Sequence, residues 1–418
     1  MSKKILFVSY FSGVDGNVMA EWADDRLRGF EVSGDFVHLV TGYGSNRIDA
    51  RNSRVHKVPS ISSDDFAHER QLRKKNKQHL SPFFSCIAYF LGPFVRWITS
   101  WVTYGGTGGK WSWITFATPV CCWLAFTQRF DVIYSTGGPP SAYIAGSIAG
   151  ILTKTPHVVE FQDPLLGAKI NTNLKKQKIT MLVERFLVTH SKRAVHVTQK
   201  AAIDARQRYP VLGTKIVASY PYAWRFNITN KLRSSCGIGS TIRILHLGTL
   251  YGSRNLDRFF QVIDQLYQTG EIQPNEIQIT NLGSIYTPNR AEYLARKDFV
   301  LAPESARQEA LERASEYDCL LLVQHNDERS TETIPYKIYD YLNLELPIFL
   351  LIRNSEISEL CSNRNCIVAD CGDNYSIKNA LIDLVSKKKK FVRPSMIDKK
   401  SKLTNEQLII TRDCKILS

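Results

Sequence analysis

The sequence predicts an α/β protein built from two Rossmann-like, doubly wound domains, and three observations carry that prediction. Short aliphatic runs recur along the chain nearly free of charge, as do strands buried on both faces of a parallel sheet. They alternate with segments of helical length and periodicity, the order expected of βαβ units. The alternation then halts over residues 221–241 (PYAWRFNITNKLRSSCGIGST), which lack periodicity and end in Ser and Gly, before it restarts. At 418 residues the chain exceeds one ordinary core. We therefore place a first domain at 1–225, a linker at 226–241, a second domain at 242–395 and a tail at 396–418.

In the first domain, Lys4–Tyr10 reads as the opening strand and SGVDGN (12–17) as a turn. A helix from Val18 to Phe30 and a strand at Phe36–Thr41 follow. Gly13 and Gly16 would let a substrate approach the backbone and the helix start; a plain strand-to-helix turn reads equally well. FDVIYS (130–135) is a strand and TGGPPS a turn that carries Gly138. Ala142–Leu152 is a helix rich in Ala, Gly and Ile, and His157–Phe161 is a strand ending in Gln162-Asp163-Pro164. Asp163 either fixes a substrate hydroxyl or caps the loop before the proline. Helices at Lys176–His190 and Lys200–Arg208 close the domain.

Composition narrows the partners. The net charge is +15, and up to residue 230 there are 29 Lys and Arg against 15 Asp and Glu, with 25 against 24 beyond it. The excess therefore belongs to the first domain, which suits nucleic acid, an anionic membrane surface or phosphorylated substrates. RQLRKKNKQH (70–79) supplies five cations. Two apolar runs follow, SPFFSCIAYFLGPFVRWITSWVTY (81–104) and WSWITFATPVCCWLAF (111–126), and five of the seven tryptophans fall between Trp97 and Trp123. A membrane-spanning helix needs about 20 apolar residues, and Gly92-Pro93 and Arg96 interrupt the first run. Basic residues beside an aromatic, amphipathic segment point to a helix lying in a membrane interface. The alternative is a buried helical hairpin. Nucleic acid fits less well, because the aromatics form apolar runs and not spaced stacking platforms.

The nine cysteines contain no CxxC pair, which fits reduced thiols and a cytoplasmic protein better than a disulfide framework. Cys361, Cys366 and Cys371 have no His at zinc-site spacing, so no metal is expected. The N-terminal MSKKILFVSYF is too short an apolar run for a signal peptide and reads as a strand. There is no P-loop, no HExxH and no Asp-x-Asp.

In the second domain, Ile242–Leu247 is a strand, GTLYG (248–252) a glycine turn and Arg254–Leu266 an amphipathic helix. Backbone donors of Gly248, Thr249 and Gly252 near that helix, with Arg254, would form an anion site. Strands follow at Ile277–Asn281, Phe299–Leu301, Cys319–Val323, Ile348–Leu351 and Ile367–Ala369. Between the third and fourth of these lie a polar loop with Glu332 and a short helix, Pro335–Leu344, opened by a proline. Lys337 and Asp340 share a face of that helix. A carboxylate on a ribose, another on a sugar and a lysine near phosphates would suit a nucleotide-sugar pocket. An ordinary ion pair between Lys337 and Asp340 reads equally well.

These residues resemble glycosyltransferase family 4. Glu332, seven residues, Asp340 and then YLNLELPIFLL is similar to that family's Glu-x7-Glu donor motif, with Asp in place of the second Glu. STGGPPSAYIAGSIAGILTKTPHVVEFQDPL (135–165) and LHLGTLYGSRNL (245–256) resemble two further segments of the family, in the same order. The resemblance implies the GT-B arrangement, with the two domains facing across a cleft. It also implies transfer of a sugar from a nucleotide-sugar donor to an acceptor held by the first domain. Glu332 would meet the donor sugar, Asp340 the ribose, and Arg254 and Lys337 the diphosphate. Gln162 stands where many members have a histidine against the sugar, and Thr249 where many have arginine. The tail would be a helix returning to the first domain.

The expected protein is thus a glycosyltransferase acting on a lipid-linked or glycan acceptor at the inner face of a membrane, without cofactor. Catalytic roles fall to Asp163 and Glu332, and Gly13, Gly16, Gly138 and Gln162 line the substrate cleft. A non-catalytic sugar-nucleotide-binding scaffold and a sugar-nucleotide epimerase are the alternatives. The scaffold would be membrane-associated as well, whereas an epimerase has no evident need of the aromatic, basic segment at 70–126.

Overall fold

A computed structural model describes residues 2–75, 81–103, 110–167, 174–221, 223, 241–344 and 346–387. The chain divides near residue 222 into two compact units. The expected tail helix and nearly all of the linker lie outside the described residues.

The first unit runs β1 (Lys4–Val8), α1 (Val18–Val32), β2 (Phe36–Gly42), β3 (Ser53–Val58), α2 (Ser63–Lys75), α3 (Pro82–Val102), α4 (Ile114–Gln128), β4 (Val132–Ser135), α5 (Pro140–Thr153), β5 (His157–Phe161), α6 (Leu174–His190), β6 (Arg193–His196), α7 (Gln199–Arg208) and β7 (Ile216–Ala218). Among the described residues its seven strands are all parallel, in the order β3-β2-β1-β4-β5-β6-β7. Ile5 to Val8 are fully buried because helices cover both faces. Ala23, Leu27 and Phe30 of α1 pack with Ile5 and Phe7 on one side, and α4 and α5 pack with Leu6 and Val8 on the other. The small residues of α5 have a steric cause: a Cβ on Gly146 would strike Ser135 of β4, so the helix lies close on the sheet. Asn17 caps α1, its side chain accepting from Met19 N and Ala20 N.

The 81–126 region divides between the two readings. Trp113 is fully buried, its Nε1 donating to Val58 O at 2.9 Å, and α4 buries Ala117, Cys121, Leu124 and Ala125. In α3 only Ala88 and Gly92 are buried. Gly92 touches the backbone at Ile61 and Ser63 just before and at the start of α2, and Arg96 pairs with Asp64 at 3.1 Å. Phe90, Phe94, Trp97 and Trp101, at helical spacing, are 72%, 59%, 65% and 74% exposed. Among the described residues no helix is long and apolar enough to cross a membrane.

The second unit runs β8 (Ile242–Leu247), β9 (Leu250–Tyr251), α8 (Asp257–Gln268), β10 (Ile277–Leu282), β11 (Ile285–Tyr286), α9 (Arg290–Ala295), β12 (Phe299–Ala302), α10 (Arg307–Ala314), β13 (Cys319–Val323), α11 (Lys337–Leu344), β14 (Ile348–Ile352), α12 (Ser355–Leu360), β15 (Cys366–Asp370) and α13 (Asn374–Lys387). Six parallel strands take the order β12-β10-β8-β13-β14-β15, and β9 and β11 form a separate parallel pair. Phe259, Ile263 and Leu266 of α8 lie in the core with Leu321, Phe349 and Leu381. Both sheets are doubly wound. The chain changes direction between β1 and β4 in one and between β8 and β13 in the other, and in such sheets ligands bind beyond the strand ends at that point.

Candidate functional site

At the second unit's switch point, β8 and β13 diverge after the pair Leu321–His246. The parting would strand a backbone donor and acceptor, and Tyr341 of α11 supplies both partners. Its buried hydroxyl accepts from Leu247 N at 3.1 Å and donates to Leu321 O at 3.3 Å. That contact fixes α11 at the mouth of the sheet, and with it Lys337 and Asp340. Beyond β8 the chain turns through Gly248 (φ +107), where a Cβ would collide with the ammonium of Lys337. Gly283, after β10, lies against the Gly248 backbone; a Cβ there would come within 2.6 Å of Gly248 C, and its φ of +142 favours glycine in any case. Two glycines thus open a bare stretch of backbone onto which Lys337 points.

Arg254 reaches the same place from a tight turn. Tyr251 and Arg254 exchange backbone hydrogen bonds across Gly252 and Ser253 (2.9 and 3.0 Å). A polar chain holds the turn down. Tyr251 donates its hydroxyl to His325 Nε2 (3.3 Å), His325 Nδ1 donates to Ser253 Oγ (2.9 Å), and Ser253 donates to Asp327 (2.5 Å). This order is the one that neutral His325 permits, and burial together with the Arg254 and Arg329 cations lowers its pKa to about 4. Helix α8 begins at Asp257, so Arg254 stands in the turn before it and not on its first helical turn. Thr249 is half-buried beside Gly248.

Lys337 is half-buried and, among the described residues, makes no hydrogen bond or ion pair. Burial, and then the Arg254 cation, lower its pKa to about 7, with Asp340 opposing. His246 below it is neutral, pushed down to about 3 by burial and Lys337, and its Nδ1 meets Asn281 at 2.5 Å. Asp340 is turned elsewhere: Arg307 of α10 grips it, Nη2 to Oδ1 at 2.6 Å and Nε to both oxygens at 3.2 Å. The alternative of an ordinary Lys337–Asp340 ion pair is therefore not what the structure shows, and Asp340 pairs with Arg307, a residue that carries no motif.

Glu332 is half-buried in a loop whose backbone is clamped from beneath. Gln324, at the end of β13, donates to Ser330 O (2.6 Å) and Thr333 O (3.0 Å) and accepts from Arg353 N and Asn354 N. The amide of Asn354 reaches Thr331 O and Thr333 O at 3.3 Å. A cavity of about 510 Å³ adjoins the glycine pair, lined by Gly283, Tyr286, Arg290, Leu301, Pro303 and Glu304. Sequence reasoning missed Arg307, Tyr341, Gln324, Gly283 and this cavity. Only the glycine after a strand, at Gly283, gave a readable signal.

In the first unit, Ser9, Thr136-Gly137 and Gln162 sit at the ends of β1, β4 and β5. Gln162 is buried; its amide nitrogen donates to Met19 O at 3.2 Å and its Oε1 has no hydrogen-bond partner. Gly137 faces Ser9, and Gly138 faces Met19. Asp163, next to Gln162, is exposed. Gly16 faces open space, but a Cβ on Gly13 would meet Ser45 and Arg47. Gly13 is therefore packed on its Cβ side, with its N–H held by Asp24 at 3.0 Å. Among the described residues no group of three His, Cys, Asp or Glu side chains is placed to hold a metal ion.

Solved structures similar over the whole chain include three sugar-transferring proteins. The catalytic domain of starch synthase IV from Arabidopsis thaliana, bound to ADP and acarbose, is 9% identical with a TM-score of 0.61 over 99% of each chain. Sucrose-phosphate synthase from Thermosynechococcus elongatus is 9% identical with a TM-score of 0.59, covering 100% of this chain and 95% of that one. Anabaena HepE in complex with UDP-glucose is 11% identical with a TM-score of 0.57, covering 99% and 98%. The fold is accordingly that of the GT-B glycosyltransferases. No protein-family model and no curated protein sequence matches the chain.

Proposed function

We propose that this chain is a family 4-like glycosyltransferase that moves a sugar from a nucleotide-sugar donor to an acceptor held at a membrane. One observation carries the donor half. Lys337 and Arg254 lie close together over bare glycine backbone at a switch point, with the nearby carboxylate of Asp340 neutralised by Arg307. Two cations so placed suit a diphosphate. The adjoining cavity has room for a base, and the family resemblance assigns Asp340, through the oxygen edge that Arg307 leaves open, to the ribose and Glu332 to the sugar. The protein's part in the chemistry is to hold the donor sugar and to stabilise the departing diphosphate through Arg254 and Lys337. Those cations neutralise the leaving charge without a metal ion. In the first unit the unpaired Gln162 oxygen and the exposed Asp163, at the end of β5, are groups that acceptor hydroxyls would meet.

The acceptor half rests on α3. An aromatic stripe open to solvent, beside the exposed Arg70 and Lys74 of α2, suits a helix lying in an anionic membrane interface. A lipid-linked glycan on the cytoplasmic leaflet is the acceptor that such a surface would bring to the first unit. The deciding measurement is a panel of nucleotide sugars screened for thermal stabilisation. A true donor at about 100 times its Kd adds roughly 2.7 kcal/mol. If no nucleotide sugar and no nucleoside diphosphate stabilises the protein, the donor site is misassigned.

A further inference from the structure

We propose that Arg307 is a positioning residue of the donor site, which grips Asp340 and so withholds that carboxylate from Lys337, leaving the lysine ammonium available to a diphosphate. The inference rests on the donor reading above and specifies how that site sorts its charges.

Lys337 and Asp340 are three residues apart on α11, on one face, where opposite charges pair by default. A lysine paired in that way would present a neutral site to a diphosphate. Asp340 instead receives the guanidinium fork of Arg307, with three hydrogen bonds and both side chains largely buried (13% and 9% exposed). The fork matches a carboxylate edge to edge, which the single ammonium of a lysine cannot do. The aromatic ring of Tyr336 lies 5.3 Å from the guanidinium carbon and holds it in place. Asp340 and Arg307 then sum to zero charge.

At the glycine backbone this leaves the Lys337 ammonium, with Arg254 near enough to act on it electrostatically. The groups that face the lysine are Arg254 from the β9 turn, His246 from β8 and Asp340 on its own helix. His246 is neutral, so among the described residues Asp340 is the one acid acting on the lysine, and Arg307 occupies it. Two like charges held together carry an electrostatic cost in the free protein that a bound diphosphate relieves.

The test reads Lys337 directly and needs no nucleotide. Protein labelled with 13C at the lysine side chains is titrated by NMR, and the Lys337 signal is identified by its loss in Lys337→Arg. In the parent the expected midpoint is about 7, lowered by burial and the Arg254 cation. In Arg307→Gln the midpoint moves up by about one unit or more, as expected for a lysine that gains a carboxylate partner. In Arg307→Gln/Asp340→Asn it returns to the parent value or below. Arg307→Lys, which keeps the charge but not the fork, moves the midpoint up by less than Gln does and covers the case in which Gln impairs folding.

An unchanged midpoint in Arg307→Gln, a shift that survives in the double variant, or a larger shift with Lys than with Gln each overturns the proposal. The same proteins are then screened with UDP-glucose, ADP-glucose and GDP-mannose. If the titrations behave as expected but the parent binds none of these, the donor reading fails while the charge sorting stands. If the parent binds one and the titrations do not shift, only the present inference fails.

Discussion

Replacing Trp97 and Trp101 together by alanine tests whether α3 docks on a membrane. The two indoles are 65% and 74% exposed, and an aromatic side chain presents about 150–250 Å². Roughly 300 Å² of apolar surface therefore stands free on the two rings, worth about 8 kcal/mol at ~25 cal/mol per Å² if fully withdrawn from water. A helix lying in the interface immerses about half of that surface, so the pair contributes about 4 kcal/mol, or nearly a thousandfold in partitioning. The fold should not suffer, since neither ring is in the core and surface changes usually stay within about 0.5 kcal/mol. The assay is sedimentation with vesicles of phosphatidylglycerol and phosphatidylcholine, with thermal unfolding measured in parallel. The charge-reversing pair Arg70→Glu/Lys74→Glu separates the two contributions: it weakens binding most at low salt, whereas the tryptophan pair weakens it at every salt concentration. A parent that ignores the vesicles would refute the reasoning. So would a tryptophan variant that binds as the parent does, or a parent whose α3 stripe is covered by self-association in solution.

Four further outcomes are expected. Glu332→Gln abolishes sugar transfer while the unfolding midpoint stays put, because a half-buried loop carboxylate contributes little to stability; full activity in that variant would remove Glu332 from the mechanism. Arg254→Ala weakens a nucleoside diphosphate far more than the bare nucleoside, and calorimetry with both ligands separates this from a general loss of shape. Donor affinity falls as pH rises above about 7, approaching tenfold per unit, because Lys337 is then neutral in the free protein and must take up a proton to face the diphosphate; Lys337→Arg binds without that pH dependence. The same lowered pKa means that the folded protein holds fewer protons than the unfolded chain between about 7 and the ordinary lysine value, so this group's contribution to stability rises with pH across that window. Tyr341→Phe strands the Leu247 N–H and the Leu321 carbonyl in a buried site and costs about 1–3 kcal/mol in a denaturant titration; a change of under half a kcal/mol would show that water replaces the hydroxyl.

The sequence was most legible where burial on both faces forces an aliphatic run. β1, β5, β8, β10, β13 and β14 all announce themselves in that way. It was silent at the sheet margin. SRVHKV (β3) is half exposed and carries no apolar run, while β6 and β7 are only four and three residues long. The basic stretch at 70–75 reads as a charge cluster, yet it ends a helix whose other face is acidic and buried. Glu69 there accepts from Tyr10 at 3.0 Å and from Ser60, and burial raises its pKa to about 7. In the candidate site the cations near glycine turns were readable, because glycine and Lys or Arg are the residues that an anion needs. Arg307 was not, since it lies 33 positions from Asp340 in a stretch of ordinary polar helix and only the fold brings the two together.

The two switch points treat charge in opposite ways, and that contrast argues for which unit takes the nucleotide. In the first unit the charges near the strand ends are consumed internally. Arg26 pairs with Glu160 at 2.5 Å in full burial, and Thr136 adds a hydrogen bond to the same carboxylate at 2.8 Å. Asp24 is spent on Ser12 and the Gly13 backbone. Among the described residues the buried groups left unpaired there, the Gln162 oxygen and the Ser9 hydroxyl, are neutral, which suits a ligand rich in hydroxyl groups. In the second unit the acid is consumed instead, Asp340 by Arg307, and a cation is left over. Burying an uncompensated charge is costly, and the lowered pKa of Lys337 is how that cost is expressed in the free protein. A fold retains such an arrangement most readily where an anion completes it. By this reasoning an anion suits the second unit's switch point better than the first's, a preference that follows from the pairing of charges within each unit.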